Sequence, residues 1–453
     1  MPNPNRFLLA RADLRQRAIS IVSGLLLLAL APLAALAAGS PFGVDAPELA
    51  PAGPYPVGVR QLRFIDPARP VVLEFNAERG EAPRRDRTLV VDFWYPAAAN
   101  APRKGTRYDD TLPGEKPGSQ IPFTMTGDAT RDVPAAGKGY PLVIISHGWS
   151  NTTSALAWLA ENLASKGYVV AAIRHQDASI VEAANVADPV LNRPLDIAFV
   201  ARQLTASLGG EGLVDPKRTA LVGYSIGGYG VLTAAGASLD PAGAAVTYLP
   251  GKLLAPYARG NPKQAELVVP NLRAVVAISP AGGGPLGAWG PAGVADIRCP
   301  LFLISGDQDL RVDYKTGARS FFDWATAADR YLLTYHGAGH SIGFGPAPVS
   351  MRGTLWDLDW FDDPVWRKDR VLAIHAHFIT AFLDRYVRDD LAKADYLNVA
   401  VTESSRGEWP DKDAKGYADF SPGTGGITVW KGFQRKHASA LELLHAAPSG
   451  TSP

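Results

Sequence analysis

Residues 218–230 read RTALVGYSIGGYG, and this stretch decides the fold. Ala220, Leu221 and Val222 form an apolar run suited to a buried strand. The run breaks at Gly223-Tyr224-Ser225-Ile226-Gly227, a G-x-S-x-G pattern, and passes through Gly228 into small residues, Val231 to Ala237, that can be helical. A strand-to-helix turn this tight leaves no room for side chains at Gly223 and Gly227 and lifts the residue between them above the sheet edge. Ser225 is therefore the expected nucleophile. The helix that follows points free N–H groups and its positive dipole end at the same spot, so the Ile226 N–H is an expected oxyanion donor.

Working outward, strand-like and helix-like segments alternate. Leu142 to Ser146 and Tyr168 to Ile173 read as strands. Ala155 to Lys166 and Leu195 to Leu208 read as helices, the latter with Ile197, Val200, Ala201, Leu204 and Leu208 on one face. Beyond the Ser225 unit, Leu272 to Ile278, Leu301 to Ser305 and Tyr331 to Tyr335 read as further strands. This alternation predicts a mainly parallel sheet with helices on both faces and its site at the carboxyl ends of the strands. Upstream, Val57 to Ile65, Val71 to Phe75 and Thr88 to Tyr95 predict antiparallel strands. Residues 97 to 138 are polar and rich in Pro and Gly and predict a long surface excursion. Leu239 to Pro270 has no clear period and predicts an inserted cap. Arg370 to Val387 predicts a closing amphipathic helix. In Ile427 to Phe433 a short edge strand is expected, and a last helix near Ala438 to His445.

Acyl transfer needs a base for the serine and a carboxylate to orient the base. Asp307 and Asp309 follow the strand ending at Ser305, and His336 and His340 follow the one ending at Tyr335. The glycines around His340 favour it as the base, with His336 as the competitor, and Ser before Asp before His is the chain order of α/β-hydrolases. Spacing alone does not separate the two aspartates. The second oxyanion donor is expected from the loop after an early strand, which places it at the Trp149 N–H in Ser146-His147-Gly148-Trp149. His147 precedes Ser225 and reads as shaping that loop by hydrogen bonds.

Composition bounds the rest. Of 453 residues, 47% are hydrophobic and 20% charged, ordinary for a globular chain with a large core, and the net charge of +1 gives no reason to expect a nucleic-acid partner. The single cysteine, Cys299, excludes an intrachain disulfide and reads as a buried small hydrophobe. His375 and His377 look like a metal pair, but residues two apart on a helix point to different sides, so no metal is expected there. Arg6, Arg11, Arg15 and Arg17 precede an apolar run from Ile19 to Leu36 that ends in Ala35-Leu36-Ala37. This predicts a secretory signal peptide over 1–37, cut after Ala37, and a secreted or periplasmic location. A flexible leader over 38–56, a main domain over 57–397 with the cap at 239–270, and a C-terminal extension over 398–453 complete the expected organisation.

VVDFWYPA (90–97), PLVIISHGWS (141–150), WLAENLASKGYVVAAIRH (158–175), RPLDIAFV (193–200), GYSIGGYG (223–230), SGDQDLRV (305–312), HGAGHS (336–341) and HFITAFLD (377–384) together resemble one group. It comprises the α/β-hydrolases of the platelet-activating-factor acetylhydrolase and predicted dienelactone-hydrolase-like kind. The resemblance spans about Val57 to Leu397. It implies an α/β-hydrolase fold, no cofactor, and a carboxylate at the acid of G-x-x-D-x-x-V, which is Asp309 between Gly306 and Val312. Asp307 then falls to the turn. It also implies a small ester or short-acyl lipid as substrate, with transient lipid-surface contact. Tyr224 stands where the group often has His, and Ser225 where dienelactone hydrolases have Cys, which favours ordinary ester hydrolysis. A serine peptidase or amidase on the same scaffold and a non-catalytic binding protein are the alternatives. The aromatics Phe344, Trp356, Trp360, Phe361 and Trp366 are expected either to line an acyl pocket or to staple a long loop.

Overall fold

The computed structural model describes residues 42–409, 426–434 and 436–449. The predicted signal peptide lies outside them. Among the described residues no helix is long and apolar enough to cross a membrane.

The chain opens with β1 (Val57–Pro70) and β2 (Arg84–Pro96), an antiparallel pair. A smaller hairpin follows, β3 (Thr106–Pro113) with β4 (Gln120–Gly127), and then the short β5 (Thr130–Arg131). From there strands and helices alternate: β6 (Tyr140–Ser146), α1 (Ala157–Ser165), β7 (Val169–Arg174), α2 (Ala187–Gly210), β8 (Val214–Tyr224), α3 (Ile226–Ala234), α4 (Ala244–Thr247), β9 (Leu272–Ile278), α5 (Pro291–Val294), β10 (Leu301–Gly306), α6 (Ser320–Trp324) and β11 (Arg330–Tyr335). Then come α7 (Leu355–Asp359), α8 (Lys368–Val387), α9 (Ala394–Leu397) and β12 (Leu441–Ala446). The main sheet runs in the order β12-β11-β10-β9-β8-β6-β7-β2-β1-β5. Strands β6 to β11 pair in parallel, whereas β2 joins β7, and β12 joins β11, antiparallel.

The period-2 geometry of the strands divides the core in two. On β6, Val143 and Ile145 face one apolar cluster with α1 and α8, while Leu142 and Ile144 face the other with α2 and α3. On β10, Phe302 and Ile304 face the first cluster and Leu301 and Leu303 the second. The expected mainly parallel sheet with helices on both faces is present.

Seven expectations are corrected. Val71 to Phe75 is not a strand but holds a single 3₁₀ turn at Val72–Glu74. Residues 97 to 138 are not a loose excursion: they carry the β3–β4 hairpin, whose Tyr108, Leu112 and Phe123 are buried against α1 and its surroundings. Tyr108 accepts from Trp94 Nε1 at 2.9 Å and donates to Glu161 at 2.5 Å, pinning the hairpin to the body. Helix α2 starts eight residues before the predicted Leu195 and runs through Pro194. The 239–270 segment is not a cap. Its Leu249, Leu254, Leu267 and Val269 are buried in the α2 and α3 core, and Val269 N donates to Ala234 O at 2.9 Å.

The described part of the leader, from Phe42 to Pro56, is docked rather than flexible. Ala50 is fully buried, and Lys166 Nζ donates to Leu49 O at 2.6 Å and to Thr380 Oγ1 at 2.9 Å. Finally, 427–433 forms no strand, and 441–446 is a strand instead of the expected helix. The segment LELLHA was open to either state, and backbone pairing along the free edge of β11 selects strand over local preference. Just beyond it, Ser449 N is held by Thr326 O at 2.7 Å.

The fold also buries neutral histidines. His375 lies against Tyr335 and Trp158, and His377 against Tyr396 and Phe433. Burial pushes the imidazoles of His375 and His377 down to about 3 and that of His175 down to about 4. An unfolded imidazole titrates near 6.5, so between that pH and about 4 the unfolded chain binds more protons than the folded one. These residues leave stability untouched above pH 6.5 and remove it as pH falls, by up to about 4 kcal/mol per pH unit for the three together. Urea midpoints are expected to drop steadily from pH 7 to pH 5. A constant midpoint across that range would show that these rings are charged in the native protein.

Candidate active site

Strand β8 delivers Ser225 at a strained turn, with φ 56° and ψ −120°. The neighbouring glycines are required: a Cβ on Gly223 would stand 2.3 Å from Gly227 O, and one on Gly227 2.1 Å from Ser146 O. Ser225 N donates to Ile278 O and Ala281 N to Ser225 O, both at 2.9 Å, so the turn is held from the adjacent strand. Strain of this kind persists only where the surroundings over-determine it.

Three sequence-predicted side chains come together here. His340 Nε2 lies 3.0 Å from Ser225 Oγ, and His340 Nδ1 lies 2.7 Å from Asp309 Oδ2. The Asp309 side chain is buried. Burial opposes its charge, but the hydrogen bonds from His340 and from the Val312 and Arg311 N–H groups outweigh it and hold the carboxyl below its usual range. Asp307 is not an idle turn residue. Its Oδ2 pairs with His336 Nδ1 at 2.9 Å and its Oδ1 accepts from Gly337 N, while His336 Nε2 faces Glu403 at 3.2 Å. The two Asp–His pairs are thus parallel, and only the Asp309–His340 pair reaches the serine.

The loop carrying His340 is clamped from several sides. Tyr224 OH donates to His340 O at 2.9 Å, Asp363 accepts from Gly339 N at 2.7 Å, and Lys368 Nζ donates to Ser341 O at 2.6 Å. The Tyr224 ring centroid sits 5.1 Å from that of the imidazole, so Tyr224 packs against the base itself.

Trp149 and Ile226 both border the space above Ser225. Among the described residues no protein group accepts the backbone N–H of either, so both donors remain available. Behind Trp149 lies a buried polar network that sequence reading did not single out, built on Arg193 and Asp196, three apart on α2. Arg193 is fully buried and reaches Ser146 Oγ, His147 O, Gly148 O and Asp177. His175 bridges Ser146 Oγ and Asp196, each at 2.9 Å, and Asp196 also takes Arg69 and Arg87.

A cavity of about 1070 Å³ opens over Ser225. One wall is Ile180, Val181 and Val186 from the segment before α2, and another is Pro285 and Leu286 after β9. Leu310 to Asp313 forms the third. Phe344, Trp356 and Trp360 form the fourth, with Glu115 at the tip of the β3–β4 hairpin. Trp356 Nε1 donates to Pro113 O at 3.0 Å and ties hairpin to wall. The aromatic run is therefore divided: Phe344, Trp356 and Trp360 border the cavity, while Phe361 and Trp366 are buried in the core. No residue of 239–270 lines the cavity. Among the described residues no His, Cys, Asp and Glu cluster is suited to a metal ion.

A family model described as PET hydrolase-like matches residues 129–255, which hold the Trp149 loop and Ser225 but not Asp309 or His340. Cutinase est2 of Thermobifida alba is 31% identical over 235 residues, 52% of this chain and 63% of that protein. Cutinase est1 of the same organism is 31% identical over 118 residues, 26% of this chain and 38% of that protein. Cutinase cut1 of Thermobifida fusca is 24% identical over 257 residues, 54% of this chain and 66% of that protein. The chain thus spans between about two fifths and two thirds of the length of these relatives. The likenesses support the α/β-hydrolase superfamily, but not the narrower acetylhydrolase and dienelactone-hydrolase-like group.

Proposed function

We propose that this chain, an α/β-hydrolase by its fold and its likeness to cutinases and a PET hydrolase-like family, is a secreted serine hydrolase of carboxylic esters. The observation that carries the reading is the continuous line Asp309–His340–Ser225, at 2.7 and 3.0 Å. His340 Nε2 takes the Ser225 proton as Oγ attacks the ester carbonyl, and Asp309 holds the ring and favours the imidazolium that forms. The oxyanion is received by the Trp149 and Ile226 N–H groups. His340 then protonates the departing alcohol, leaving an acyl-enzyme on Ser225. Water, deprotonated by His340, releases the acid.

Secretion rests on the pattern of residues 1–37. The largely apolar cavity suits esters with hydrophobic acyl or alcohol parts, and the names of the relatives point to the ester as the bond cleaved. Short to medium acyl chains are expected to be preferred over long ones.

A fluorophosphonate probe is expected to label the folded protein once, on the peptide containing Ser225. A folded protein that takes no label there overturns the reading. Across p-nitrophenyl esters from acetate to palmitate, kcat/KM is expected to peak at or below medium chain length. Turnover confined to p-nitroanilides would instead mark an amidase.

A further inference from the structure

We propose that Arg193, together with His147, is a positioning residue that turns the Trp149 N–H toward Ser225. The proposal rests on the esterase reading above and identifies what holds its oxyanion site in shape. The Gly148 carbonyl and the Trp149 N–H belong to one planar trans peptide and so point in opposite directions. Whatever fixes the carbonyl aims the donor. Gly148 O is held by His147 Nδ1 at 2.7 Å and by Arg193 Nη2 at 2.9 Å, with Asn151 N as a longer third donor at 3.3 Å.

The ring of His147 is in turn committed to that bond. Its Nε2 accepts from His175 N at 3.2 Å, so the proton sits on Nδ1, and burial keeps the imidazole neutral. Arg193 also donates to His147 O and to Ser146 Oγ, and is neutralised by Asp177, whose Oδ2 receives Ser150 N at 3.2 Å. Across the turn, Trp149 Nε1 donates to Ala178 O at 2.8 Å. A peptide flip at Gly148–Trp149 would break all three bonds to Gly148 O and leave a buried guanidinium short of an acceptor, which is costly. The guanidinium also polarises the shared amide and makes its N–H the stronger donor.

A residue that only stabilised the fold would change the melting temperature and leave the rate constants of the folded fraction alone. The test therefore compares kcat, KM and inhibition in folded Arg193→Met and Arg193→Lys. The inhibitors are a trifluoromethyl ketone, which forms an oxyanion on Ser225, and the product carboxylate, whose binding serves as the ground-state control. Arg193→Met is expected to lower kcat about 100-fold, the scale seen when one oxyanion donor is lost. KM should stay within about threefold, and ketone affinity should fall by a factor similar to that of kcat while the carboxylate control is unchanged. Arg193→Lys should recover part of both, because a single ammonium cannot reproduce the fork that spans two carbonyls and Asp177.

Folded Arg193→Met with unmutated kcat, a loss carried by KM alone, or a ketone whose affinity does not move would each overturn the proposal. If Arg193→Met fails to fold, Arg193→Lys decides. About a tenfold loss in kcat and ketone affinity supports the proposal, and equality with the unmutated protein on both ends it. Absence of any ester turnover in the unmutated protein would fell the esterase reading, and this inference with it. Turnover there with an equally active Arg193→Met fells this inference alone.

Discussion

Ser225→Ala is expected to lower the turnover of p-nitrophenyl acetate by roughly 10⁶-fold, the magnitude that nucleophile removal produces in a serine hydrolase. The substitution deletes one oxygen, and the hydrogen-bond partner of that oxygen is His340. The elbow is shaped by Gly223, Gly227 and backbone bonds to Ile278 and Ala281, none of which involves the side chain. Melting temperature and circular dichroism should therefore stay close to those of the unmutated protein. A small residual rate over water should survive from the oxyanion donors and binding alone. A folded Ser225→Ala that keeps more than about a hundredth of the activity would move the nucleophile elsewhere.

The second large effect separates two aspartates that stand two residues apart. Asp309→Asn is expected to cut kcat by about 10⁴-fold, because an amide facing His340 Nδ1 stabilises the wrong tautomer and cannot support the imidazolium. Asp307→Asn should change kcat by less than about threefold, since Asp307 serves His336 and the Gly337 N–H on the far side of the same turn. Steady-state kinetics of the two variants side by side give the answer. The reverse ranking would mean that the His336 pair, and not the His340 pair, reaches the serine during turnover.

Both predictions concern residues that the sequence made legible, for a physical reason. Ser225 and His340 each sit in a short glycine-bearing turn at the carboxyl end of an apolar strand, which marks them locally, whereas Asp309 was separated from Asp307 only by the family resemblance. What sequence reading missed depends on distant partners. Residues 106–127 alternate weakly, and only burial of Tyr108, Leu112 and Phe123 under the body makes them a hairpin. The apolar residues of 239–270 suited a cap equally well until α2 and α3 took them into the core. The leader carries no periodicity, yet Lys166, Asn162 and Ser165 of α1 and its cap bind it. Arg193 lay ahead of the helix expected from Leu195, and no local pattern records which distant carbonyls its buried guanidinium meets.

The last described strand has a consequence for how the chain behaves in company. Without β12, strand β11 would present a row of unpaired N–H and C=O groups on a flat, apolar border, which is a template for joining another copy edge to edge. Leu441–Ala446 occupies that border in full register, Tyr331 stacks on His445 at 4.2 Å, and His445 Nε2 bonds Asp329 at 2.7 Å. The new outer edge is short, and Glu403 and Glu442 meet along it, so two copies would bring like charges together. The C-terminal segment thereby covers an edge of the kind that joins copies when left bare. A protein clipped ahead of residue 441 would keep every residue that lines the cavity over Ser225 and lay the edge of β11 bare.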